Sequence, residues 1–329
     1  MSPRWTWILV ALTTAASACG GKPPPPPPVV DRSDPRWQDV FDTTPELLVV
    51  LRPRALRQDR VYGPLLRRAI DATRQQSHVV AAAGGLDTLE DAGELIVGVR
   101  PDAPDRPGEL VLVVRSVPGD VDPGTMVDDG GHPLWAPGPP GRVRELVRER
   151  DEHGHPIGAS LFELPGRTWV VAAGDARSRA REAFGHPFGR PPMDLDPGAL
   201  AIVRIDGPSL VARERALQDL GGLASLGRHL RSVTLTLPPG GEGSVAATLA
   251  YADEDSAALA EVATREVISA VKRAGSSRLA WLVPARVERS GGKQLVLTAP
   301  LPPGLVEALV HAGSAPLPPL DVDLPPPGP

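Results

Sequence analysis

Apolar and polar positions alternate along this chain in a plan that recurs. Pro45-Glu46-Leu47-Leu48-Val49-Val50-Leu51-Arg52 lines up with Pro197-Gly198-Ala199-Leu200-Ala201-Ile202-Val203-Arg204. Each is a short aliphatic run that opens after proline and closes on arginine, the signature of a strand. Both runs are apolar on successive positions, so both sides of the strand are buried and central places in a sheet are predicted. Helical segments come next in each copy. Val61, Leu65, Leu66, Ala69, Ile70 and Thr73 recur near the 3.6-residue period, and Val211 to Leu226 is a less regular counterpart interrupted by Gly221 and Gly222.

A hairpin succeeds each helical segment. The first pairs Glu94 to Val99 with Glu109 to Arg115, and the second pairs Ser232 to Leu237 with Val245 to Tyr251. Their connections are rich in Pro, Gly and Asp, which set or permit turn dihedrals. A later hairpin and helix close each copy. In the first these are Ile157 to Leu164, Thr168 to Ala173 and a helix from Ala176 to Phe184. In the second they are Arg286 to Arg289, Gln294 to Ala299 and a helix from Leu305 to Ala312. The copies differ in between. The first has a loop from Pro118 to Gly141 and a strand from Val143 to Arg150. The second has a long helix from Ser256 to Arg273, with Leu259, Val262, Val267 and Val271 expected toward a core and acids at its start. The expected fold class is α+β: two related units, each an antiparallel β-sheet with helices packed on one face, over residues 45–190 and 191–313.

Both ends of the chain break this pattern. Residues 1–18 carry Arg4, then an uncharged apolar stretch from Trp5 to Ala16, then small residues, the three-part plan of an export signal. Cys19 comes next, in Ala16-Ser17-Ala18-Cys19-Gly20-Gly21, and is the chain's single cysteine. With no second thiol it has no intramolecular disulfide to form. Residues 19–44 continue as Gly20-Gly21-Lys22, six prolines from Pro23 to Pro28, and a polar lead-in containing Trp37 and Phe41. A proline run of that length takes the polyproline II form and reaches roughly 19 Å at ~3.1 Å per residue. Residues 314–329 are again proline-rich and read as a disordered or extended tail.

The segment around Cys19 resembles the signal and lipidation site of bacterial lipoproteins, with Ser17 and Ala18 as the small residues ahead of the cysteine. That resemblance covers the signal segment alone. It implies cleavage before Cys19, a diacylglyceryl group on its sulfur, and, with Gly20 after the cysteine, an outer-membrane destination in the cell envelope. Ala16-Ser17-Ala18 also satisfies the ordinary signal peptidase, which would leave a soluble exported chain beginning at Cys19.

Composition narrows the field. The formal net charge is −5, with 35 basic and 40 acidic residues mixed along the chain, so the basic stripe of a nucleic-acid binder is missing and no nucleic-acid partner is expected. Only three of the basic residues are lysine (Lys22, Lys272, Lys293), an arginine bias that reads as the codon usage of a GC-rich genome. Aromatic residues make up 4%, so the core has to be aliphatic and stacking platforms for sugars are disfavoured.

Candidate chemistry is thin. Gly241-Glu242-Gly243-Ser244-Val245-Ala246 matches a dinucleotide-binding glycine pattern by letters, yet the residues from Ser244 onward read as a strand where a helix N-terminus is required. His153-Gly154-His155 beside Asp151 and Glu152 lacks further ligands for a metal. Asp120, Asp122, Asp128 and Asp129 form an acidic loop without the closing acid of a calcium site. Ser225 lies in a glycine-flanked run with the wrong spacing for a nucleophile elbow. No cofactor and no metal is expected. Three residues are candidate partner contacts: Trp135, in a proline-stiffened loop, and Arg52 and Arg204, at matching positions of the two aliphatic runs. The competing and favoured readings are a cap on a sheet edge formed by Leu134 with Trp135, and strand-end charges leaving the core for the two arginines.

The expectation is a non-enzymatic lipoprotein, anchored in the envelope membrane through its N-terminal lipid and contacting another envelope protein. Two alternatives stand beside it: an envelope hydrolase whose site assembles only in three dimensions, and a carrier of small ligands or lipids.

Overall fold

A computed structural model of the chain describes residues 30–31, 35–41, 45–59, 62–63, 92–100, 108–117, 121–127, 131–150, 156–186, 188–189, 193, 195–208, 229–239, 244–274 and 283–300. The helical segments expected over Val61–Thr73, Val211–Leu226 and Leu305–Ala312 lie outside those residues almost entirely.

The first expectation to fall is that of two separate units. Twelve strands join in one antiparallel sheet. In chain order the strands are β1 (Val30–Asp31), β2 (Leu47–Leu51), β3 (Glu94–Arg100), β4 (Glu109–Arg115), β5 (Ala136–Pro137), β6 (Arg144–Arg150), β7 (Pro156–Leu164), β8 (Thr168–Ala173), β9 (Phe188–Gly189), β10 (Ala201–Asp206), β11 (Leu230–Leu237), β12 (Ser244–Tyr251), β13 (Arg286–Ser290) and β14 (Gln294–Pro300). The large sheet runs β13-β14-β12-β11-β10-β2-β3-β4-β8-β7-β6-β5, and β1 pairs with β9 apart from it. The two aliphatic runs are the seam: β2 pairs with β10, Val49 facing Val203 and Val50 facing Ile202. Outward from that seam the strand order is the same on both sides through the fifth strand, after which β6 and β5 extend one side alone.

The reason is an edge problem. Two separate sheets would each leave a long aliphatic strand open at one edge, an invitation to pair with anything extended. Pairing β2 with β10 removes both edges at once. The edges that remain are blunted: β5 is two residues long and contains Pro137, and β13 is the charged run Arg-Val-Glu-Arg-Ser.

Helices are few among the described residues, which is the second correction to an expected pair of helix-covered units. The described α-helices are α1 (Pro53–Gln58), α2 (Ala176–Gly185) and α3 (Glu254–Ala274). Alternation along the strands sorts residues to two faces. On the front of the first half, Leu48, Val50, Ile96, Val111, Val113, Phe162, Val170 and Ala172 pack with Ala176, Ala180 and Phe184 of α2. Trp37, Val40 and Phe41 join that cluster, so residues ahead of Pro45 belong to the core. Gly98 is needed there, because a Cβ on it would collide with the Phe41 ring. On the back of the second half, Val233, Leu249, Tyr251 and Leu295 pack beneath α3. The back of the first half is closed by a third cluster in which Leu134 and Trp135 from the connecting loop meet Val114, Leu146, Leu161 and Trp169. A sheet this wide has too much apolar surface for a layer on one side, so it is covered on alternate faces.

Candidate functional site

The front face is organised by buried carboxylates held by arginine. Glu94, Glu109 and Glu145 are all buried. Arg52 reaches Glu94 at 2.9 Å and also donates to the carbonyl of Ala199, while Arg115 grips the other Glu94 oxygen and lies 5.9 Å above the Trp37 ring. Glu109 receives Arg100 at 3.0 Å and both terminal nitrogens of Arg179 at 2.6 Å. Glu145 receives Arg181 at 2.7 Å and the Ser160 hydroxyl at 2.6 Å, and Arg177 donates to that hydroxyl at 2.8 Å. A carboxylate taken out of water needs such partners to remain charged. Three arginines of α2, at alternate positions 177, 179 and 181, therefore fasten the helix to the sheet. The Glu145 hydrogen bond raises the Arg181 pKa, against some opposing desolvation.

Arg52 is thus an internal clasp that joins the end of β2 to the start of β10. Arg204 faces Leu48 on the same side of the sheet, roughly 13 Å along the seam at ~3.3 Å per residue. Its Nε is buried and has no hydrogen-bond partner among the described residues. The two arginines share a face but do not converge on one groove. Trp135 is 3% exposed inside the third cluster, so the loop turns its aromatic ring inward and offers none to a partner. Cys19 lies outside the described residues, as do Asp151 to His155, Ser225, and Asp120, Asp128 and Asp129 of the acidic loop. Asp122 is spent locally: it caps Gly124 N–H at 2.8 Å and pairs with Arg144 at 3.0 Å. No group of three His, Cys, Asp or Glu side chains that could hold a metal occurs among the described residues. The strand β12 begins at Ser244, directly after the glycine run, where a dinucleotide site would need a helix.

The outer surface of α3 is the feature that the sequence pattern misassigned. Asp253 caps the helix from the position before it: its carboxylate accepts from Ser256 N–H at 2.8 Å and meets His229 Nδ1 at 2.8 Å. The Ser256 backbone hydrogen bond, aided by His229, pulls the Asp253 pKa down to about 2. From that start Ala257, Ala260 and Ala263 turn to the sheet, with Val271 at the far end. Leu259 and Val262, expected in the core, are instead 55% and 57% exposed. The small side chains let the helix lie close to the strands, and the bulky ones are left outside. Alanines at 257, 260 and 263, three apart, were the available signal: a continuous small face competes with the Leu/Val face for the inward position.

Beside these residues is a shallow concavity of about 450 Å³ lined by Val262, Arg265, Glu266, Ser269, Lys272 and Arg273. Arg265 is steadied by Glu261 at 2.9 Å and by the Val287 carbonyl at 3.1 Å. By contrast, the space between the front face and α2, beside Phe41 and Arg179, measures about 10 Å³, no more than a single water needs. His229 and Asp253 form a paired base and acid. Among the described residues no hydroxyl or thiol is hydrogen-bonded to the other nitrogen of that histidine.

No family model matches this chain, and no curated protein does. A solved structure of TP0453, in its crystal form I, is similar at 12% identity and a TM-score of 0.41, over 85% of this chain and 96% of that one. That likeness is too distant to assign a fold or a function. Among the described residues no helix is long and apolar enough to cross a membrane.

Proposed function

We propose that this chain is a lipid-anchored interaction module of the cell envelope, held by acylated Cys19 and docking through the outer face of α3. The observation that carries the reading is the outward placement of Leu259 and Val262 beside a concavity, on a helix that had an apolar partner surface available and packed alanine against it. Two large aliphatic side chains adjacent on one helix face and bordering a concavity form a contiguous patch of the kind that marks a contact surface. The export signal and the proline tether support the location, since a stiff spacer would hold the sheet clear of the bilayer.

The location has a direct test. Mass spectrometry of the N-terminal peptide from cells is expected to show Cys19 carrying diacylglycerol, and Cys19→Ser is expected to move the chain from the membrane fraction to the soluble one. Recovery of the processed chain in the medium with an unmodified thiol would overturn it.

A further inference from the structure

The outer face of α3 is self-complementary, and the geometry points to a second copy of this chain as its partner. This rests on the reading of that face as the docking surface. Asp255, Leu259, Val262, Glu266, Ser269 and Arg273 fall four, three, four, three and four residues apart, which places them along one stripe of the helix. The stripe carries acid at one end (Asp255), two aliphatic residues next, Glu266 and Ser269 after them, and base at the other end (Arg273). Ala270 and Lys272 lie exposed beside it.

A two-fold axis through the middle of α3 sets two such helices antiparallel, the arrangement of an isologous interface. Asp255 then meets Arg273 of the second copy, and Arg273 meets its Asp255. Leu259 falls opposite Ser269, at the concavity lined by Val262, Arg265, Glu266, Ser269, Lys272 and Arg273. Two leucines thus enter two hollows floored by Ser269 and walled by Val262 and the methylene stems of Arg265, Glu266, Lys272 and Arg273. Ala258 and Ala270 face each other and allow close approach. Glu266 comes beside Val262 of the second copy and covers it with its methylene stem, its carboxylate remaining in solvent. A parallel pairing would set acid against acid and base against base, so the charge pattern selects the antiparallel register. The contact is one helix per copy, so its affinity is modest in solution; two chains tethered to one membrane meet at a much higher effective concentration.

Charge reversal tests this on the full processed chain in detergent, by sedimentation equilibrium across a concentration series, with circular dichroism to confirm folding. The chain is expected to show reversible dimer. Asp255→Arg alone and Arg273→Asp alone are each expected to weaken it about tenfold, because each change acts twice in a symmetric pair. The double variant is expected to restore it. Leu259→Lys is expected to leave monomer. A chain that is monomeric throughout, or reversals whose combination fails to rescue, would overturn self-pairing. A photo-cross-linker placed at Leu259 in cells separates the two readings. A chain–chain product supports the inference, a product with a different envelope protein overturns it while the docking face stands, and no product overturns both.

Discussion

Two helices of this protein bury themselves in opposite ways. Helix α2 drives a large aromatic into the sheet: Phe184 is 1% exposed and meets Phe162 edge-on at 5.2 Å. It then fastens its rim with Arg177, Arg179 and Arg181 against carboxylates of the sheet and of the β6 end. Helix α3 offers the sheet alanine and faces the solvent with leucine and valine. A helix that only needs to hold a fold together spends its apolar bulk inward and its charges at the margin. A helix that keeps bulk outside leaves apolar area for another molecule. The difference separates a half of the sheet whose helix is pinned by aromatic packing and ion pairs from a half whose helix leaves aliphatic bulk exposed.

Substitutions can break this contrast in order of expected size. Phe184→Ala empties the centre of the α2 contact and is expected to cost about 3–5 kcal/mol of unfolding free energy in urea titrations. Ala260→Leu forces bulk under α3, where only a methyl fits, and is expected to cost about 1–3 kcal/mol by the same measurement. Arg181→Ala strips Glu145 of its guanidinium. Ser160 still donates to that carboxylate and Arg181 is 39% exposed, so the expected loss is about 2 kcal/mol, below the usual figure for a fully buried pair.

Acid sharpens the comparison on the α3 side. The folded pKa of Asp253 is depressed to about 2, below the ~3.9 of an unfolded aspartate. Its contribution is therefore complete above about pH 4 and lost as the pH falls from there through about 2. Asp253→Asn is expected to lower the melting temperature at pH 6 and to converge with the parent chain near pH 2, seen by calorimetry at both values. The smallest effect belongs to Leu259→Ser, which is expected to leave the stability of the isolated chain within about 0.5 kcal/mol in denaturant titrations at dilution.

Much of the sheet was legible in the residue pattern. The limits of β4 and β8 match those read from alternation, and β3, β6, β7, β11, β12, β13 and β14 differ at their ends by a residue or two. Doubly apolar Leu47 to Leu51 announced a central strand. The partner of that strand was not announced, because nothing local in Leu-Leu-Val-Val-Leu distinguishes an interior place in its own sheet from a seam with a distant run. Trp135 was open to two readings, partner anchor or cap on a sheet edge, for the same reason: its proline-rich neighbours describe a stiff loop, and only Val114, Leu146 and Trp169, from three other strands, decide that the ring turns inward. Arg52 and Arg204 were recognisable as a matched pair, yet Glu94 claims the first and the Nε of the second is left without a partner among the described residues.

By itself the sequence determined where strands and the long helix begin and end, because side-chain periodicity and turn chemistry act over a few residues. It also set the single thiol and the proline spacer beyond it. Which strands became neighbours, which face each helix took, and whether α3 turned alanine or leucine to the sheet were decided only by the tertiary structure. Those choices compare packing across residues distant in the chain, where closing two open edges outweighs keeping two units apart and a close alanine contact outweighs burying two larger side chains.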